Sequence, residues 1–329
     1  MESLNIQVTS LPARLVRKIP LPYPITVLLF WSLEFFVDYI FLWRLPVAED
    51  YYWAHAGILA FFSSITIIII HCSHVLTSIY PDLALFIDQD KKEFRNWYGK
   101  KLKWCLEGNW PIVCGIVFVV IQEVTVGSIV KSSVTFNQPF LQVLWVAYLI
   151  IGFFILGYGL WAMLNVAIIP LQLARFKMKV SLNQIQGIGL QALGTAYFKM
   201  ALSISVSFLI LILMVIASPL SGETTVLAWE IVAAVIIFSF FLLPQLGVHN
   251  IMALEKKKSL TKLAVPLEEA IQQSVNSPTS ENMMRLKELL ELQHHIKSMN
   301  DWPFNVNTLW QLLTALLIPL LLAVLEILF

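Results

Sequence analysis

The chain has 329 residues, of which 58% are hydrophobic and only 13% charged, and its mean hydropathy is +0.76; a soluble globular domain is less apolar and more charged. A net charge of +1 gives no overall field to draw in nucleic acid, and no clustered basic and aromatic surface points to such a partner. Most of the length is therefore assigned to membrane spans of about 20 residues, each crossing roughly 30 Å of hydrocarbon.

Residues 1–22 carry Arg14, Arg17 and Lys18 ahead of an apolar run, but no small-residue cleavage site follows, so the first span is expected to be retained. Apolar runs at 23–43, 52–72, 111–130, 139–170, 198–218, 226–247 and 305–328 predict seven spans. The fold class expected is all-α: a polytopic transmembrane bundle with 1–22 as a cytoplasmic segment, helices one to six in 23–250, a cytoplasmic helical anchor in 251–304 and helix seven in 305–329. With the N-terminus inside, only Arg44 and Lys131 of the 22 basic residues fall outside. Short basic loops stay cytoplasmic, so this places the C-terminus on the extracellular side of a cell membrane. That orientation is the reverse of a G-protein-coupled receptor.

The first span holds Glu34 and Asp38, four residues apart and hence on one helix face, where two ionised carboxylates need a cation, water or a proton between them. His71 and His74 lie at the inner end of span two, and His249 at the inner end of span six; three imidazoles there are weak candidates for a metal or haem. Cys72, Cys105 and Cys114 form no CxxC pair and are read as free thiols. Glu123, Glu230 and Glu326 join Asp38 in the outer half, which reads either as an acidic lining that would attract cations or as Glu230 and Glu326 at the membrane interface with Asp38 paired to Arg44. Gly152 to Gly159 let span four approach its neighbours closely. That span either tilts strongly or continues past Pro170 as a helix outside the membrane. The glycines near 187–194 suggest a turn before span five. A Lys-rich helix is expected over 251–273, and Ser277 and Pro278 are read as N-cap and first-turn proline of another. Leu286, Leu289, Leu290 and Ile296 form its apolar stripe. Trp302, Pro303 and Phe304 anchor the start of the last span.

No nucleophile-and-base motif or phosphate loop is present, so neither an enzyme nor a cofactor is expected. The stretch from Pro244 through His249, with Asp301-Trp302-Pro303-Phe304, resembles a group of uncharacterised prokaryotic multi-pass proteins. The order of helices, with the N-terminus inside and an anchor before the final helix, is similar to the insect odorant and gustatory receptor superfamily. The Thr-Tyr and Gln-Phe signature of that family's last helix is not matched here. The resemblance implies a tetrameric ligand-gated cation channel with Gln311, Thr314 and Glu326 as pore candidates. The expected function is an oligomeric, receptor-like cation channel binding a small molecule or cation in the lipid bilayer. The alternatives are a secondary transporter using intramembrane carboxylates, a haem- or metal-binding redox protein, and a signalling scaffold.

Overall fold

The computed structural model describes residues 8–42, 49–85, 87, 91–127, 139–173, 175–176, 188–216, 224–299 and 301–302, with positions 310, 311, 314, 317 and 321 of the last segment. Its described residues are almost wholly helical and contain no strand. The helices are α1 (Leu11–Val16), α2 (Tyr23–Leu42), α3 (Glu49–Ser78), α4 (Tyr80–Leu85), α5 (Lys91–Leu106), α6 (Asn109–Gln122), α7 (Pro139–Ala167), α8 (Ile169–Leu173), α9 (Ile188–Ile216), α10 (Thr224–Asn276) and α11 (Ser280–Ser298), with a π-helical turn at Glu123–Gly127 after α6.

Five of the apolar stretches, His55–Leu85, Lys91–Thr125, Gln142–Leu173, Leu193–Ile216 and Ala228–Asn276, are long and apolar enough to cross a membrane by length and composition. A shorter one covers Tyr23–Val37 of α2. Leu33, Phe36 and Ile40 of α2, Val117 and Val120 of α6, and Val235 and Phe238 of α10 are all exposed. Apolar side chains exposed along successive turns of several helices are what a lipid-facing surface requires, since water would disfavour so large a patch.

The core has two parts. Val27 and Trp31 of α2, Phe62 of α3, Trp145 and Tyr148 of α7 and Met214 of α9 pack together in one. Leu76, Tyr80, Phe94, Tyr98, Leu102, Val166, Tyr197 and Phe240 belong to the other, which lies toward the basic end of the bundle. Two of the Tyr hydroxyls in this second part donate to backbone carbonyls, Tyr98 to Leu76 at 2.9 Å and Tyr197 to Val166 at 2.8 Å, which offsets the cost of burying them.

The glycines of α7 act through close approach, as their spacing predicts. A Cβ at Gly157 would stand 2.8 Å from the Cys114 carbonyl oxygen and 3.0 Å from the Gly115 Cα, so α6 and α7 meet backbone to backbone. The long run that begins at 139 does continue as helix past Pro170, as far as Leu173, but with an interruption. It breaks after Ala167, because Pro170 has no N–H to continue the ladder, and resumes as the short α8.

Three further expectations are corrected. Span six and the Lys-rich helix are one element: α10 runs unbroken for 53 residues with Pro244 and Pro266 inside it, about 80 Å at helical rise. From Ile188 onward the glycine-containing stretch before span five is already helix, so Gly189 and Gly194 lie inside α9 rather than in a turn. The N-cap of α11 is Thr279, whose hydroxyl accepts the Asn282 N–H at 3.3 Å, leaving Pro278 before the helix. α11 folds back along the end of α10, tied by Ser274 Oγ donating to the Asn282 carbonyl at 3.1 Å. Ile296 is buried and Leu286 and Leu289 are half-buried, whereas Leu290 is exposed and leaves the predicted stripe.

The described residues 8–11 dock on the bundle. Ser10 is fully buried and caps α1. The Thr9 N–H donates to Glu107 Oε1 at 2.7 Å and the Leu11 N–H to the Tyr158 hydroxyl at 3.0 Å, while Tyr158 itself donates to the Leu106 carbonyl.

Candidate functional site: a buried cavity and a helix-root latch

The π-turn after α6 shifts the register of its last residues, and such turns recur at functional sites. Here it lets Thr125 accept the Trp229 Nε1–H of α10 at 3.3 Å. Beside this bond lies a cavity of about 200 Å³ between α3, α6, α7, α9 and α10. Its wall is apolar, with Phe61, Phe62, Phe118, Phe153, Leu211 and Trp229 prominent, and its polar side chains are Gln122 and Glu230. Both are buried, Gln122 at 6% and Glu230 at 2% exposure. A second chamber of about 130 Å³ shares Phe61, Phe118, Leu156, Leu211, Trp229 and Ala233 with the first and continues past Ile69, Met163 and Phe208. An apolar cavity of about 150 Å³ is enough to hold a benzene-sized molecule. A carboxyl group in such a wall favours a ligand that brings a positive charge or a hydrogen-bond donor to it.

The other end of α10 carries the second feature. His249 stacks on Trp302 with ring centroids 4.1 Å apart at 16°, and its Nδ1 is 2.8 Å from the Asp301 carbonyl oxygen. About two turns further, Lys256 donates to the Asp301 carboxylate and to the Met299 carbonyl, both at 2.8 Å. The root of the last segment is thereby latched to α10. The fifty-odd residues separating His249 from Asp301 conceal this pairing in the sequence.

Of the predicted site residues, Glu230 lines the cavity, and Glu123 opens the π-turn next to Gln122 and is half-buried. The backbones of Glu34 and Asp38 belong to α2, but their side chains, like all of Glu326, lie outside the described residues. Gln311 and Thr314 are exposed, and the Thr314 hydroxyl donates to the Trp310 carbonyl at 2.8 Å. His71 and His74 are exposed on α3, His74 near the Tyr23 ring at 6.0 Å. His249 is engaged by Trp302 and Asp301 instead of joining them. No group of three His, Cys, Asp or Glu suited to a metal ion occurs among the described residues. Sequence reasoning passed over Gln122, Thr125 and Trp229, although Gln122-Glu123 interrupting an apolar run was a usable signal. His55, set apart in the sequence from His71, His74 and His249 by its place at the other end of span two, is buried at 2% exposure between Trp145 and Phe35, with ring centroids 4.6 and 5.7 Å away.

No protein family model matches the chain, and no curated protein and no solved structure matches it either.

Proposed function

We propose that the protein is a multi-pass membrane protein of seven spans, with its N-terminus in the cytoplasm and its C-terminus outside, that works as a ligand-gated cation channel assembled from several copies. The observation that carries this reading is the cavity with Gln122 and Glu230 in an otherwise apolar wall. A ligand with an apolar body and one cationic or donor group fits it. The cavity is coupled to the rest of the chain by covalent continuity: Trp229 and Glu230 sit near the start of α10, and His249 and Lys256 of the same helix hold Asp301 and Trp302. A ligand that displaces the upper part of α10 therefore acts on the root of the last helix, which is the pore-lining element in this reading. Acidic residues toward the outer end, Glu123 and Glu230 among them, favour cations over anions.

Current across planar bilayers containing the purified protein, under ion gradients that separate cation from anion permeation, tests the reading. Cation-selective current absent from empty bilayers is the expected result. Silence across voltage, in the presence of a panel of small amphiphilic amines, would overturn it. The buried carboxyl of Glu230 also favours a second reading, a secondary transporter that carries a proton or cation on that group. Substrate flux into proteoliposomes driven by a pH gradient, without channel current, would select it.

A further inference from the structure

The sixteen residues of α5 include six basic side chains and one acidic, distributed unevenly around the helix. Phe94, Tyr98, Leu102 and Cys105 are fully buried against the bundle, at the spacing of one helix face. Lys100 and Lys103 are exposed on the other side. At Gly108 the backbone is extended, with φ −69° and ψ 174°, and the chain turns into α6.

Three indoles meet across this turn. Trp104 lies 5.0 Å from Trp161 of α7 at 64°, and Trp110 stacks on the same ring at 5.8 Å and 17°. Trp104 and Trp110 remain 38% and 55% exposed. The Lys101 ammonium stands 4.6 Å from the Trp104 ring centroid. Trp161 keeps a buried Nε1–H with no hydrogen-bond partner among the described residues.

Exposed tryptophans are favoured where hydrocarbon meets a polar headgroup layer, and a cluster of ammonium groups on an amphipathic helix attracts acidic lipid. The occupant is a lipid rather than an acidic protein, because the exposed surface that starts at Trp110 continues as the apolar face Val113, Ile116, Val117 and Val120, which acyl chains cover. We propose that the α5–α6 corner binds the headgroup of an anionic phospholipid. Lys100, Lys101 and Lys103 pair with its phosphate, and Trp104 and Trp110 sit at the boundary between headgroups and acyl chains. The inference needs the bundle to sit in a membrane and is independent of the channel reading.

Native mass spectrometry of the full chain, released from nanodiscs of phosphatidylcholine mixed with phosphatidylglycerol, tests the site. Wild-type protein is expected to retain phosphatidylglycerol preferentially. In the Lys100→Gln, Lys101→Gln, Lys103→Gln triple variant that preference should fall roughly tenfold or more, while the corresponding triple Arg variant keeps it. Equal retention of the two lipids by wild type would overturn the proposal, and so would an undiminished preference in a Gln variant of unchanged melting temperature. Should the Gln variant fail to fold, the wild type decides: a preference that does not weaken as salt is raised is not electrostatic, and the site is then refuted.

Discussion

Glu230 and Gln122 give an apolar cavity its polar character, and Trp229 between α10 and the π-turn fixes where they stand. Replacing Glu230 by Gln keeps the shape and removes the charge. In the channel reading, the ratio of cation to anion permeability, or the potency of an amine ligand, should drop about tenfold or more, the scale of one charge-assisted hydrogen bond. Reversal potentials in asymmetric salt measure the first and dose-response curves the second; a variant with wild-type values in both removes Glu230 from the mechanism. At the other end of α10, the Lys256–Asp301 pair is short, but Asp301 keeps 39% of its side-chain surface, so solvent screens it. A double-mutant cycle with Lys256→Met and Asp301→Asn is expected to give about 0.5–1 kcal/mol of coupling by thermal unfolding.

Among the elements, α6 and α7 depend on small residues at their contact, and the spacing of glycines in span four already indicated as much. A Cβ at Gly157 would meet the Phe118 Cβ, the Cys114 carbonyl oxygen and the Gly115 Cα, atoms fixed to the α6 backbone that cannot swing aside. Gly157→Ala should therefore cost at least about 1 kcal/mol despite the better helix propensity of Ala. A lowered melting temperature in detergent is the expected measurement, and an unchanged one would mean that the two helices can separate without penalty. α10 is the element that periodicity misread. Its apolar stretch ends near residue 247 and its Lys-rich stretch begins soon after, which looks like a boundary between two helices. Hydropathy changes there because the surroundings change, while the backbone hydrogen bonds of a helix continue through both. The internal prolines did not mark the boundary either, since a long helix tolerates them with a bend.

For the whole molecule, the proposed seven spans and the proposed side of each end rest on where lysines and arginines fall, and the proposal is testable independently of function. Reporters fused before Met1 and after Phe329 should report opposite sides of the membrane, the first cytoplasmic. Both reporting the same side would require an even number of spans and would overturn the proposed arrangement. Cysteines introduced at Lys91 and Lys258 should both be labelled by a membrane-impermeant reagent only after the cytoplasmic face is opened. Opposite labelling of the two would break the alternation that places α5 and the α10–α11 hairpin together.

What the sequence determined by itself is the class of protein: a helical chain whose apolar runs are long enough to cross a membrane, because hydrocarbon leaves a backbone no other way to satisfy its polar groups except a closed barrel. It also located Glu230 and the close-packing glycines, since a carboxyl group or a bare Cα in an apolar run stands out locally. Only the tertiary structure brought Gln122 and Trp229 to one wall with Glu230, bonded Trp229 to Thr125, set His249 on Trp302, and gathered Trp104, Trp110 and Trp161 at one corner. Those partners lie on different helices, and the pairing of faces between helices is set by side-chain packing across the whole bundle, a quantity that no local window of residues contains.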